Sequence, residues 1–180
     1  MPLNTREVDL SAELDRLEDE RKEIADQAAE ISPDNPAFDG LVGEGQSLDT
    51  HIRGLSWALD EWDADTVTLS GLTGGEFGKV EDELADAAAK RDRRGGQPGA
   101  RRVYLVAFGT VDAPFVDDEM SDDERIASAA GLPVAFLKWA ESQVNELSTV
   151  GNGSGSSSFT QLLAEKRSKT QGSTASSSSD

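Results

Sequence analysis

Residues 10–31 read LSAELDRLEDERKEIADQAAEI, and this stretch decides the fold. Its apolar and small side chains recur at alternating spacings of four and three residues, at Leu10, Leu14, Leu17, Ile24, Ala28 and Ile31. Only Arg21 interrupts the series, which is a heptad pattern and places one apolar face along a helix. The positions between carry mostly charged side chains, as a solvent-facing surface requires. The stretch therefore predicts a long amphipathic helix.

A second heptad pattern occupies residues 36–62, which read PAFDGLVGEGQSLDTHIRGLSWALDEW. Its repeating positions are Phe38, Leu41, Gly45, Leu48, Ile52, Leu55, Leu59 and Trp62. A short turn separates the two patterns, with Asn35 as a candidate N-cap and Pro36 at the first helical position. Two helices of similar length joined by such a turn predict an antiparallel coiled-coil hairpin at residues 1–63.

The hairpin has two possible modes of association, and the sequence leaves both open. It either self-associates into a helical bundle or adds a helix from a partner. The residues expected to mediate oligomerisation are Leu14, Leu17, Ile24, Leu48, Ile52 and Leu55. Gly40, Gly43 and Gly45 weaken the start of the second helix by about 1 kcal/mol each relative to Ala.

Residues 64–149 predict a compact helical unit with at most one short strand, at Val67–Leu69. Two capping boxes, Thr73–Glu76 and Ser121–Glu124, mark the starts of helices. Further helices are expected at 103–111, where the chain is apolar on most sides, and at 134–147, after Pro133.

The C-terminal residues 150–180 are rich in Gly and Ser, which predicts a flexible, disordered tail. Within it, residues 158–167 read SFTQLLAEKR and carry Phe159, Leu162 and Leu163 at helical spacing. A helix this short is marginal in water, so the segment is expected to dock on another surface. The predicted fold class is mainly α: a helical hairpin, a small helical domain and this tail.

Composition excludes several classes of function. The 180-residue chain has no cysteine and one histidine, His51, which leaves no thiolate nucleophile and no zinc cluster. The formal net charge of -18 repels phosphates and anionic lipid, so neither nucleic acid nor membrane is an expected partner. The chain contains no run of 18 apolar residues, the length needed to span a membrane, and the N-terminus has no apolar signal core for export.

The acidic surplus also suggests an environment. Asp and Glu number 35 against 17 Lys and Arg, and Arg outnumbers Lys, a style that resembles haloarchaeal proteins. At molar salt the Debye length falls to about 3 Å and screens the repulsion. We therefore expect a high-salt cytoplasm, with an ordinary acidic mesophilic protein as the alternative.

No candidate catalytic or metal motif meets its chemical requirements. The acidic groups Asp117–Glu119 and Asp122–Glu124 lack the alternating ligands and the glycine of a calcium loop. Gly71–Gly75 is followed by Glu76 instead of the lysine of a phosphate loop, and no serine lies in a Gly-x-Ser-x-Gly elbow. The basic stretch 91–102 is better suited to acidic neighbours or an acidic partner than to nucleic acid. We expect no enzyme, cofactor, metal ion or small-molecule substrate.

Three strings of the compact unit occur in a recognisable order. They are VTLSGLTGGEFGKVEDEL at 67–84, VYLVAFGTVDAPFVDDE at 103–119 and SAAGLPVAFLKWAESQVNELS at 128–148. This order resembles the tail assembly chaperones of long-tailed viruses and proviruses. The matching elements are Val67–Leu69, Leu72–Thr73, Glu76, Gly109–Asp112, Pro114, Leu132–Pro133 and Val144–Leu147. The N-terminal hairpin departs from the typical short family member.

The resemblance implies a non-catalytic factor for virus tail assembly. Such proteins coat the tape measure protein, keep it soluble in the host cytoplasm, recruit tail tube subunits and are absent from the mature virion. The expected partner-binding residues are apolar: Leu69, Leu72, Phe77, Phe136, Trp139, Val144, Phe159, Leu162 and Leu163. The alternatives are a structural minor tail, neck or baseplate protein of the virion, or a cellular coiled-coil adaptor.

Overall fold

The computed structural model describes residues 4–90 and 98–149. Over these ranges the chain forms mostly helix with a small sheet, which confirms the predicted mainly α fold. The helices are α1 (Leu10–Glu30), α2 (Pro36–Glu61), α3 (Gly74–Lys90), α4 (Pro98–Gly109), α5 (Asp122–Ala130) and α6 (Val134–Thr149). The strands are β1 (Thr5–Asp9), β2 (Thr66–Ser70) and β3 (Thr110–Asp112). The predicted tail, residues 150–180, lies outside the described residues.

The helical hairpin forms as predicted because both of its helices have strong start signals. The side chain of Asp9 accepts a hydrogen bond from the backbone N–H of Ala12 at 2.8 Å. Asn35, the predicted N-cap, accepts one from the N–H of Ala37 at 3.0 Å, and Pro36 opens α2. Each cap satisfies a backbone donor that the first turn of a helix leaves without a partner.

A three-stranded antiparallel sheet lies at the base of the hairpin, in the order β1-β2-β3. β1 runs directly into α1, and β2 follows α2; the two strands pair from Thr5↔Ser70 to Asp9↔Thr66. Beyond the last pair, the N–H of Leu10 donates to the carbonyl oxygen of Asp65 at 2.8 Å. The hairpin therefore extends from two neighbouring strands that hold its open end together.

The prediction of at most one strand was wrong, since three strands are present. β1 contains one buried side chain, Val8, so its sequence carries almost no alternating pattern. It is held as a strand by β2, which the intervening hairpin brings next to it, and such non-local pairing leaves little local signal. Most of β3 falls within the helix predicted at 103–111. In the structure, α4 ends at Gly109 and the chain continues as an edge strand.

Both predicted capping boxes are confirmed. The Thr73 hydroxyl accepts the N–H of Glu76 at 3.2 Å, and the Glu76 carboxylate accepts the N–H of Thr73 at 2.6 Å. Ser121 and Glu124 make the same reciprocal pair at the start of α5. Each box fixes where its helix begins, because two backbone donors are satisfied at one point.

One hydrophobic core joins the hairpin to the rest of the chain. Leu17 and Leu55 of the hairpin belong to the same buried cluster as Phe136 of α6. The predicted boundary between residues 1–63 and 64–149 therefore divides one continuous core. A smaller cluster lies beneath α3, formed by Leu72, Val80, Leu105 and Val144.

The contact between α2 and α6 depends on Gly54. A Cβ at this position would lie 2.5 Å from the backbone nitrogen of Phe136 and 2.6 Å from the carbonyl carbon of Ala135. Only glycine permits so close an approach of two backbones. Beside this contact, Trp62 stacks on Phe115 with ring centroids 5.8 Å apart and meets Phe136 edge-on at 4.9 Å.

The far end of α6 is attached to the end of β2. A Cβ on Gly71 would lie 2.6 Å from the carbonyl carbon of Leu147, and the N–H of Leu72 donates to the hydroxyl of Ser148 at 2.9 Å. α6 therefore spans the molecule from the hairpin to the sheet, which fixes the point from which the C-terminal tail departs.

Candidate partner-binding groove on the helical hairpin

An open groove of about 690 Å³ lies between α1 and α2 in the half of the hairpin nearest the turn. Its apolar and small lining residues are Ile24, Ala25, Ala28, Leu41, Val42 and Gly45. Its volume lies within the range of about 300–1,000 Å³ common for ligand sites. We refer to this feature as the hairpin groove.

Small residues at heptad positions create the groove. Near the sheet the same positions carry Leu17, Ile52 and Leu55, which are 3%, 7% and 0% exposed and fill the space between the helices. Towards the turn, Gly45 replaces a large side chain, and its Cβ position would lie 3.9 Å from Cγ2 of Ile24. The two helices are therefore tightly packed near the sheet and leave a hollow between them near the turn.

The open face of the groove has an exposed apolar side chain. Val42 is 38% exposed, and no atom lies within 4 Å of a Cβ built on its neighbour Gly43. In the part of the chain that the structure describes, the other large hydrophobic side chains with such exposure are Val111 and Val134, neither of which lines the groove. A single exposed valine is ordinary for a protein surface, so the candidacy of this site rests on Val42 lying beside the apolar part of the groove.

Charged side chains form the rim of the groove. Arg21, which interrupts the heptad pattern of α1, crosses to α2 and pairs with Asp49 at 3.0 Å. Both side chains are about half exposed, so the pair contributes at most about 1 kcal/mol. Glu18, Asp19 and Lys22 complete the α1 side. α1 and α2 together carry thirteen acidic and four Lys or Arg side chains, so the groove lies on an acidic element.

A polar network closes the inner end of the hairpin against α6. The carboxylate of Glu13 accepts two hydrogen bonds from Arg16 at 2.8 Å and one from the indole N–H of Trp139 at 3.4 Å. Burial raises the pKa of Glu13, but these hydrogen bonds and the positive charges of Arg16 and Arg6 together hold it below its ordinary value. Glu13 is therefore an ionised anchor between α1 and α6.

His51, the single histidine, belongs to the junction between the hairpin and α6. It lies half-buried on α2, where burial and the positive charge of Lys138 lower its pKa, while Glu13 and Glu20 oppose that shift. His51 is thus held neutral at pH 7 within the junction of α1, α2 and α6.

Glu124, in the first turn of α5, bonds to the backbone at the start of that helix, and Asp122 pairs with Lys79 at 3.1 Å. The N–H of Ser121 donates to the Glu124 carboxylate at 2.9 Å, and the Ser121 hydroxyl donates to the same oxygen. Both hydrogen bonds lower the pKa of the Glu124 carboxyl. Within residues 4–90 and 98–149, no group of three or more His, Asp or Glu side chains could hold a metal ion. The lining of the hairpin groove offers apolar contact and charge as its means of binding.

Most of the predicted partner-binding residues lie inside the core. Leu69, Leu72, Phe136, Trp139 and Val144 are all at most 2% exposed. A partner cannot contact them in this conformation, so their assignment as a direct binding surface is corrected. Phe77 is half-buried and packs on the cluster beneath α3, and Phe159, Leu162 and Leu163 lie outside the described residues.

The predicted oligomerisation residues also belong to the core of a single chain. Leu17, Ile24, Leu48, Ile52 and Leu55 are at most 7% exposed, and Leu14 is partly buried against the same cluster. Their heptad positions are used for packing α1 on α2 and α6. Of this set, Ile24 alone also lines the hairpin groove.

Sequence reasoning missed Ala25, Val42 and the role of the glycines. The signal was present at Gly45, a heptad position of α2 where a large side chain would fill the space against Ile24 of α1. A glycine at such a position weakens the helix and also leaves space on the face that packs against the partner helix.

None of the helices in the described ranges has the length and hydropathy needed to cross a membrane. Comparison of the chain with protein-family models, curated proteins and solved structures yields no match.

Proposed function

We propose that this protein is a non-enzymatic tail assembly chaperone, which binds the tape measure protein and tail tube subunits during virus tail morphogenesis. On this proposal it acts in the high-salt cytoplasm of a haloarchaeal host and is absent from the mature virion. Support comes from the order of elements along residues 67–148, which resembles that family, and from the hairpin groove.

The hairpin groove is the observation that carries the proposal. A tape measure protein is long and helical, and an apolar stripe on such a helix needs cover before the tail tube surrounds it. A shallow groove with an apolar floor and a charged rim binds an amphipathic helix through that stripe. The acidic hairpin around it keeps the complex soluble. Burial of apolar surface in such a complex stabilises it by about 25 cal/mol per Å², before the entropic costs of association are subtracted.

Co-expression with the tape measure protein of the same virus tests the proposal. We expect the wild-type chain to raise the soluble fraction of the tape measure protein. Gly45→Leu fills the groove and should abolish this effect. Because leucine is a better helix former than glycine, the substitution should not lower the melting temperature. This variant separates binding from folding.

The matched control is Val134→Glu, which changes a valine that is 60% exposed and does not line the groove. It should retain the solubilising effect. Solubilisation that survives Gly45→Leu would contradict the role of the groove.

A structural component of the virion is the alternative, because such a groove suits a permanent helical partner as well as a transient one. Mass spectrometry of purified particles separates the two. Stoichiometric presence of the chain in the particle would contradict the chaperone proposal and support a minor tail, neck or baseplate component.

A further inference from the structure

The hairpin groove has a matching segment in the same chain. Residues 158–169 read SFTQLLAEKRSK, with Phe159, Leu162 and Leu163 at spacings that share one face of a helix. We propose that this segment docks in the hairpin groove of its own chain and occupies it until a client displaces it. The inference does not depend on the identity of that client.

Charge complementarity favours this occupant. The segment carries Lys166, Arg167 and Lys169 against Glu165, a net charge of +2. α1 and α2 are strongly acidic, with thirteen Asp or Glu against four Lys or Arg. Cations on a segment that approaches this acidic hairpin are attracted over roughly a Debye length, about 8 Å at 0.15 M salt and about 3 Å at molar salt. The groove lining itself is nearly balanced, with Glu18, Asp19 and Asp49 against Arg21 and Lys22, so the attraction comes from the hairpin as a whole.

A second copy of the hairpin is a poorer occupant for the same reason. Docking two hairpins tip to tip would bring two elements of the same strong negative charge together, which opposes association at low salt. The groove also takes its shape from the missing side chain at Gly45, which faces Ile24. Among the described residues, the large apolar side chain that an identical hairpin exposes is Val42 alone, which is smaller than Phe159 and Leu162.

The chain is long enough to reach. Near its start, α6 contacts Gly54 of α2 through Ala135. Near its end, it contacts Gly71 through Leu147. At about 1.5 Å per residue, the path from Thr149 back along α6 and then along α2 to Asp49, on the groove rim, is roughly 30 Å. The ten residues from 149 to 159 span up to about 33–36 Å when extended. Phe159 can therefore enter the groove at its inner end.

Hydrogen exchange on the full-length chain tests the proposal. We expect Phe159→Asp with Leu162→Asp to speed the exchange of backbone amides in residues 38–49 several-fold, because the groove then loses its cover. Amides of α5 should exchange as before. The matched control carries Ser173→Asp with Ser176→Asp, which adds the same two charges at the same spacing outside the segment, and it should leave residues 38–49 unaffected.

A second full-length variant tests the charge. Reversal of the cations, with Lys166→Glu, Arg167→Glu and Lys169→Glu, should speed exchange at 0.15 M salt and have a smaller effect at molar salt, where the Debye length is about 3 Å. Unchanged exchange over residues 38–49 in both variants would overturn the proposal. The proposal would also be overturned if the wild-type chain forms a dimer and if dilution removes both the dimer and the protection of residues 38–49. The segment in the groove would then come from a second copy.

Discussion

Gly54 and Gly43 lie in the same helix but have opposite surroundings. A Cβ on Gly54 would meet the backbone of Ala135 and Phe136 within 2.7 Å, whereas nothing lies within 4 Å of one on Gly43. Substituting the first forces α2 and α6 apart, and substituting the second only improves helix propensity. The two sites therefore separate a packing requirement from helix propensity alone.

We predict that Gly54→Ala lowers the free energy of unfolding by about 1–3 kcal/mol, because two backbones must shift to admit one methyl group. Gly43→Ala should raise it by about 0.5–1 kcal/mol, since alanine loses less backbone entropy in a helix. Chemical denaturation monitored by circular dichroism measures both. Equal effects of the two changes would contradict the close contact of α2 with α6.

At the scale of elements, the helices and the strand β2, expected at Val67–Leu69, could be predicted, whereas β1 and β3 could not. The starts of α1 and α2 follow from heptad spacing and from the cap at Asn35, which are local features. β1 depends on pairing with β2, and the residues that pair, such as Thr5 and Ser70, lie on opposite sides of the hairpin in the sequence. No local pattern encodes such a contact.

The hairpin groove could be predicted only in part. Heptad positions identified the apolar faces, but the same residue types serve a monomer core and an oligomer equally well. Which positions remain open depends on how α6 covers the inner half of the hairpin and leaves the outer half free. That coverage is fixed by Gly54 and the aromatic side chains around Phe136, which act through contacts distant in sequence.

The hairpin and the rest of the chain should unfold together. Leu17→Asp with Ile52→Asp places two charges at sites 3% and 7% exposed, where burial of an unpaired charge costs several kcal/mol. We expect loss of helicity and also loss of the near-ultraviolet signal of Trp57, Trp62 and Trp139, because they share the core with α2.

The matched control for this hairpin variant is Val42→Asp, an apolar-to-acid change on the same helix at an exposed position. It should leave both signals in place. Loss of the hairpin helices with an unchanged near-ultraviolet spectrum would show that residues 1–63 form a unit of their own.

At the scale of the whole molecule, a net charge of -18 surrounds a core of ordinary packing. The acidic side chains are mostly exposed, so salt screens their repulsion without altering the buried contacts. Val42 is exposed where α1 and α2 extend beyond α6, beside the hairpin groove. A solvated exterior with an apolar groove on the hairpin fits a protein that holds an amphipathic helix.

The contact between the hairpin groove and a client is the central claim, and site-specific photo-crosslinking tests it most directly. A photoreactive benzoyl-phenylalanine is placed at Val42 in one full-length variant and at Val134 in another, and each is co-expressed with the tape measure protein. We predict a crosslink to the tape measure protein from position 42 and none from position 134. Crosslinks from position 134 alone, or from neither position while the tape measure protein stays soluble, would contradict it.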